Sequence, residues 1–128
     1  MEKMKRLPDS ELDIMLILWE VTEPVSRAYI EQQIQKKKEI ATTTVLTLLS
    51  RLCDKGFVSI KKQGNMNLYS PLIKEQDYKN SESRSIVKKL YGNSLKTFVA
   101  SFCMNDKISE EQLNELQAFL NEQKEERK

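Results

Sequence analysis

Apolar residues recur along most of the chain at the three- and four-residue spacing of helices, and alternate in one short stretch. Leu12, Met15, Leu16 and Trp19 stand at i, i+3, i+4 and i+7, and Ile14, Ile17 and Leu18 widen that stripe, so the first helix is buried on more than one side. It is predicted to begin near Asp9 or Ser10, with Pro8 stopping helix upstream and Ser10 and Asp13 at capping-box spacing, and to end at Glu23-Pro24. A second helix follows Ser26 and runs to about Lys37, with Ile30 and Ile34 facing inward. A third spans Thr42 to Lys55 on the stripe Val45, Leu48, Leu49, Leu52, and Gly56 suits the left-handed residue that ends it. At about 100° per residue, Thr43, Thr47, Ser50 and Asp54 fall opposite that stripe, with Thr44 and Arg51 at one edge and Leu46 at the other.

Phe57–Lys62 and Leu68–Leu72 read as strands. The segment Gln63-Gly64-Asn65-Met66-Asn67 between them makes a hairpin with Lys61 and Lys62 at its tip. The remainder is helical: Glu75–Tyr91 with a sparse apolar set, a break at Gly92-Asn93, then Leu95, Phe98, Val99 and Phe102 in helical register. A last helix opens on the capping box Ser109-Glu110-Glu111-Gln112 and carries Leu113, Leu116, Phe119 and Leu120. Three helices followed by a hairpin make the winged helix-turn-helix order. The predicted fold is therefore mainly α with a small β-hairpin wing: a winged-helix DNA-binding domain over 1–73 and a three-helix dimerisation domain over 74–128. Short amphipathic helices cannot easily bury two Phe-bearing stripes alone, so Leu90, Leu95, Phe98, Val99, Phe102, Leu113, Leu116, Phe119 and Leu120 are expected to pair with a second copy as a homodimer.

Composition removes whole classes of function. In 128 residues there is no His, which excludes His-based triads, His general bases and His-ligated metals. Cys53 and Cys103 lie far apart and form no Cys-x-x-Cys pair, so neither a metal nor any other cofactor is expected, and the thiols read as reduced. No apolar run is long enough to span a bilayer and no apolar signal segment opens the chain, which predicts a cytoplasmic protein without membrane insertion. No motif presents a Ser–Lys or Cys–carboxylate nucleophile, so an enzyme is not expected.

The net charge of +2 is unevenly spread. Residues 1–26 hold three basic and six acidic groups, residues 27–62 eight basic and three acidic, and residues 63–128 ten of each. The basic segment coincides with the third helix and the wing. Its predicted partner is double-stranded DNA, with Thr42, Thr43, Thr44, Leu46, Thr47 and Ser50 on the reading side and Arg51, Lys55, Lys61 and Lys62 toward phosphate. Two other readings stay open: a redox- or ligand-responsive regulator of the same fold with Cys103 as sensor, and a winged-helix module that binds protein rather than DNA.

The chain resembles the BlaI/MecI/CopY penicillinase-repressor family over nearly its whole length. The resemblance is carried by Leu7-Pro8-Asp9-Ser10-Glu11-Leu12-Asp13-Ile14-Met15 leading to Trp19, and by Thr43-Thr44-Val45-Leu46-Thr47-Leu48-Leu49-Ser50-Arg51-Leu52 before Lys55-Gly56-Phe57. Tyr69-Ser70-Pro71-Leu72, Gly92-Asn93-Ser94-Leu95-Lys96 and Ile108-Ser109-Glu110-Glu111-Gln112-Leu113-Asn114-Glu115-Leu116 complete it. It implies a homodimeric repressor on a palindromic operator. In the β-lactam branch it also implies induction by a membrane-sensor-linked protease system that cuts between Asn and Phe. Those positions match Ser101 and Phe102, so the Phe is kept and the Asn is not. The copper branch binds metal through Cys-x-Cys motifs, which this chain lacks. Ala41-Thr42-Thr43-Thr44 departs from the Ser-Pro-Lys-Thr start of many reading helices, and Leu46 replaces a residue often basic in the β-lactam branch, so a relative's operator does not transfer.

Overall fold

A computed structural model describes residues 4–128, apart from the side chain of Asp106. Its elements run α1 (Asp9–Glu20), β1 (Val25–Ser26), α2 (Arg27–Gln35), α3 (Thr42–Asp54), β2 (Val58–Gln63), β3 (Met66–Pro71), α4 (Glu75–Leu90), α5 (Leu95–Cys103), a 3-10 turn (Met104–Asp106) and α6 (Glu110–Glu126). They divide into two compact units, the first reaching to Glu82 and the second running from Ser83 to Lys128.

In the first unit α1 buries Ile14, Met15 and Leu18, α2 buries Ile30 and Ile34, and α3 buries all four residues of its predicted stripe. The three stripes meet in one core, closed on the other side by Phe57, Val58 and Tyr69 of the hairpin. This unit outruns the expected boundary at residue 73, because Tyr78 of α4 belongs to its core. The Tyr78 hydroxyl accepts from the buried N–H of Leu7 at 3.0 Å, and its ring lies 5.8 Å from those of both Trp19 and Phe57. Trp19 in turn donates its indole N–H to the Ile73 carbonyl at 2.9 Å, fixing the segment that enters α4.

Three local expectations change. Ser10 does not cap α1: Pro8 holds the N-cap position before Asp9, its carbonyl accepts from the Leu12 N–H at 2.9 Å, and no side chain caps the helix. The helix stops at Glu20, with Val21 already extended, short of the Glu23-Pro24 end. The chain thereby enters β1, a two-residue strand with no hydrophobic signal, which pairs Val25 with Tyr69 and makes the hairpin a three-stranded sheet in the order β1-β3-β2. The wing is also longer than predicted. Gln63 pairs with Met66 across a two-residue Gly64-Asn65 turn. Gly64 holds φ of 62° while Asn65 keeps negative φ, the pattern of a II′ turn. Lys61 and Lys62 therefore lie in β2 opposite Leu68 and Asn67, behind the tip rather than on it, and on opposite faces of the ribbon.

In the second unit Gly92 and Asn93 both take positive φ, and the Asn93 N–H returns to the Val87 carbonyl at 3.0 Å, which ends α4. Ser94 caps α5 through the Thr97 N–H. Ser109 and Gln112 form the predicted capping box at α6 in both directions.

Candidate nucleic-acid interface

With Val45, Leu48, Leu49 and Leu52 committed to the core, 3.6-residue geometry forces Thr43, Leu46, Thr47, Ser50 and Arg51 outward, and all five are exposed. Leu46 is 44% exposed, although an aliphatic side chain gains by burial. The hydroxyls on this face are not equivalent. Thr42 Oγ1 donates to Glu31 Oε1 at 2.6 Å, and the other oxygen of Glu31 pairs with Arg27 one turn earlier on α2. This ties the start of α3 to α2 and occupies the Thr42 hydrogen. Thr47 Oγ1 donates to the Thr43 carbonyl at 3.0 Å, so toward a ligand it offers a methyl group and an accepting oxygen. Among the described residues no hydrogen bond engages the side chains of Thr43, Thr44 or Ser50.

The basic residues divide in the same way. Lys55, expected to face phosphate, is held inside the fold: its Nζ lies 2.5 Å from Glu11 Oε1, and that carboxylate side chain is only 3% exposed. A buried carboxylate without a cation is costly, so this pair outcompetes a surface role for Lys55. Lys38 reaches Asp13 at 3.0 Å, and Lys36 donates to Gln33 at 3.1 Å. Arg51, Lys61 and Lys62 are exposed and have no ion pair among the described residues. Glu11 and Glu31 were missed as contributors to the site. For Glu11 a signal existed, since with Ile14, Met15 and Leu18 it completes an i, i+3, i+4, i+7 set, placing a charge on the buried stripe. Glu31 lies on α2 eleven residues before Thr42, and no local pattern connects the two.

Cys53, on α3, is half-buried; burial pushes its thiol above the usual range and the neighbouring Asp54 charge adds to that. Cys103 is exposed at the end of α5. Among the described residues no group of three or more His, Cys, Asp or Glu is placed to hold a metal ion, and no helix is long and apolar enough to cross a membrane.

The second unit carries a different surface. Leu90, Leu95, Phe102, Leu113, Phe119 and Leu120 are all exposed, with Phe98, Val99 and Leu116 half-buried. Phe98 stacks edge-on with Tyr91 and Phe102 at ring distances of 5.2 and 5.3 Å, so the aromatic set is ordered but uncovered. Ser101 and Phe102 lie within α5, and the Ser101 hydroxyl donates to the Phe98 carbonyl at 2.6 Å.

The model of the penicillinase repressor family matches residues 7–122. The chain belongs to the penicillinase repressor family. It is 34% identical to a penicillinase repressor of Staphylococcus aureus, with 94% of each chain covered. It is 31% identical to the penicillinase repressor of Bacillus licheniformis over 100% of this chain and 99% of that one. Among solved structures, the monomeric form of Bacillus licheniformis BlaI in complex with the blaP half-operator superposes with a TM-score of 0.51 at 29% identity, covering 61% of this chain and 94% of that one. Membership in the penicillinase repressor family agrees with the resemblance carried by the sequence, and the BlaI structures place the winged-helix fold beside this chain's own helices and wing.

Proposed function

We propose that this chain is a sequence-specific DNA-binding transcriptional repressor, without catalytic activity, that acts in the cytoplasm as a homodimer on a palindromic operator. The observation that carries the reading is the outer face of α3: an exposed, hydroxyl-rich helix surface flanked by Arg51 and a basic wing, on a fold that in BlaI is seen with a half-operator. In this reading α3 lies in the major groove, with Thr43, Leu46, Thr47 and Ser50 toward base edges. Arg51, Lys61 and Lys62 meet phosphates. The exposed Thr42 is tied to α2 through Glu31, and the half-buried Lys55 pairs with Glu11, so each supports the reading helix rather than contacting DNA.

The exposed apolar faces of α5 and α6 support pairing of two copies, because a lone chain leaves Phe102, Phe119 and Leu120 in water. Two linked reading heads then bind a two-fold site far more tightly than one. A protease acting between Ser101 and Phe102 would first have to unwind α5, since both residues are helical. Cutting there would separate Phe98 and Val99 from Phe102 and take the paired face apart.

A gel shift of the full chain on the DNA upstream of its own gene, at 50 and 200 mM salt, tests the reading. We expect a discrete complex at low salt that weakens steeply at the higher one. A folded, dimeric protein with no complex at low salt overturns it.

A further inference from the structure

Ahead of Arg51, the outer face of α3 carries hydroxyl and apolar groups where a base-reading helix most often carries an amide or a guanidinium. From Thr42 to Ser50 it has no Arg, Lys, Asn or Gln, the side chains that make bidentate contacts to guanine or adenine. Its exposed apolar group is Leu46, and at the next position the Thr47 hydroxyl hydrogen is engaged by the Thr43 carbonyl, so the exposed Thr47 offers its methyl and an accepting oxygen to a ligand. The base-edge group in the major groove that complements an aliphatic surface is the C5 methyl of thymine. Cytosine has hydrogen at that carbon, and the purine edges present N7 with O6 or N6 and carry no methyl.

We propose that Leu46, together with the Thr47 methyl, is a specificity-determining contact for thymine methyl groups, so that each half-site read by α3 contains a required thymine. The inference rests on the reading of α3 as the DNA-binding helix and names the feature that helix selects. Burying one methyl is worth about fourfold in affinity, so removing it from both half-sites costs a dimer about fifteenfold.

The full chain is first used to select duplexes from a random pool. The selected duplex is then remade with deoxyuridine in place of thymidine, one position at a time. Deoxyuridine keeps every hydrogen-bonding atom and deletes only the methyl. We expect one or two positions per half-site where the change weakens binding about fourfold. Leu46→Ala should bind the thymidine and deoxyuridine duplexes equally at those positions. Leu46 is exposed, so its loss leaves the core stripe intact, and helix content by circular dichroism verifies that the variant is folded. Selected DNA that is insensitive to deoxyuridine everywhere overturns the inference alone. So does a Leu46→Ala variant that keeps the full discrimination. A pool from which nothing is enriched overturns the DNA-binding reading itself, and this inference with it.

Discussion

Replacing Lys55 by Met separates an internal role for this lysine from a phosphate contact. Glu11 sits on the buried stripe of α1, and its carboxylate has Lys55 Nζ at 2.5 Å as its cation. Removing one partner of a fully buried pair costs about 3–5 kcal/mol. The Lys55 side chain is 25% exposed, so water can enter the vacated space, and a cost of about 2–3 kcal/mol is expected instead. Urea unfolding followed by the fluorescence of Trp19, the single tryptophan, reports on this unit. With a slope of about 1–3 kcal/mol per molar urea, the midpoint should fall by about 0.7–3 M. Glu11→Gln should cost less, about 1 kcal/mol, because the partly exposed ammonium can rehydrate. The double variant Glu11→Leu, Lys55→Met removes both charges and should recover most of the loss, which no phosphate-contact role explains. Titration with DNA at several salt concentrations completes the test. A phosphate contact would flatten the slope of log affinity against log salt by about 0.9 per lysine, and the ion pair leaves it unchanged. A Lys55→Met protein with wild-type stability and a flatter slope would refute the argument.

Of the cations on α3 and the wing, Arg51, Lys61 and Lys62 have no ion pair among the described residues, three per protomer. Six contacts per dimer give a salt slope of about −5 and a loss of about two-thousandfold between 50 and 200 mM; a slope near zero would remove phosphate contact from the reading. Phe119→Asp places a charge on the exposed face of α6 and should convert the sedimenting species from dimer to monomer, while a persisting dimer would move the interface elsewhere. Iodoacetamide at mildly alkaline pH should label exposed Cys103 well before Cys53, whose thiol burial and Asp54 hold protonated; equal rates would contradict that environment. Ser109→Ala removes the capping box of α6 and should cost about 1 kcal/mol, seen as a lower melting temperature of the helical signal.

Elements with strong local periodicity were legible from sequence, and those fixed by distant partners were not. The α3 stripe and the Ser109 capping box lie within single turns of helix, so spacing alone located them. β1 has only two residues and exists because Val25 and Ser26 find Tyr69 and Leu68, more than forty positions away. The inclusion of Tyr78 in the first core likewise depends on Leu7, Trp19 and Phe57 meeting it, which no window of sequence shows. Within the interface, the wheel separated the outward from the inward positions of α3, but it could not tell which polar groups are already engaged. Thr42 and Lys55 fall with the DNA-facing set by sequence, and in the structure each has a carboxylate partner within the chain.

The composition of α3 is the clearest sign that something outside the chain shaped it. Four Thr fall among the six residues Thr42–Thr47, and each disfavours helix by about 0.6 kcal/mol relative to Ala, or about 2.5 kcal/mol together. The helix forms regardless, because burial of Val45, Leu48, Leu49 and Leu52 contributes about 1.5–3 kcal/mol apiece and outweighs that deficit several times over. Tertiary packing therefore permits the threonines without requiring them. Thr42 returns part of its cost through Glu31, and Thr47 only shares the Thr43 carbonyl with the helix itself. The side chains of Thr43 and Thr44 make no such bond within the described residues, and both residues are exposed. Alanine at those two positions would give a more stable helix with the same core. Their hydroxyls and methyls make sense at a surface that meets a ligand with both donor and methyl groups along its edge, which is what the floor of a DNA major groove presents.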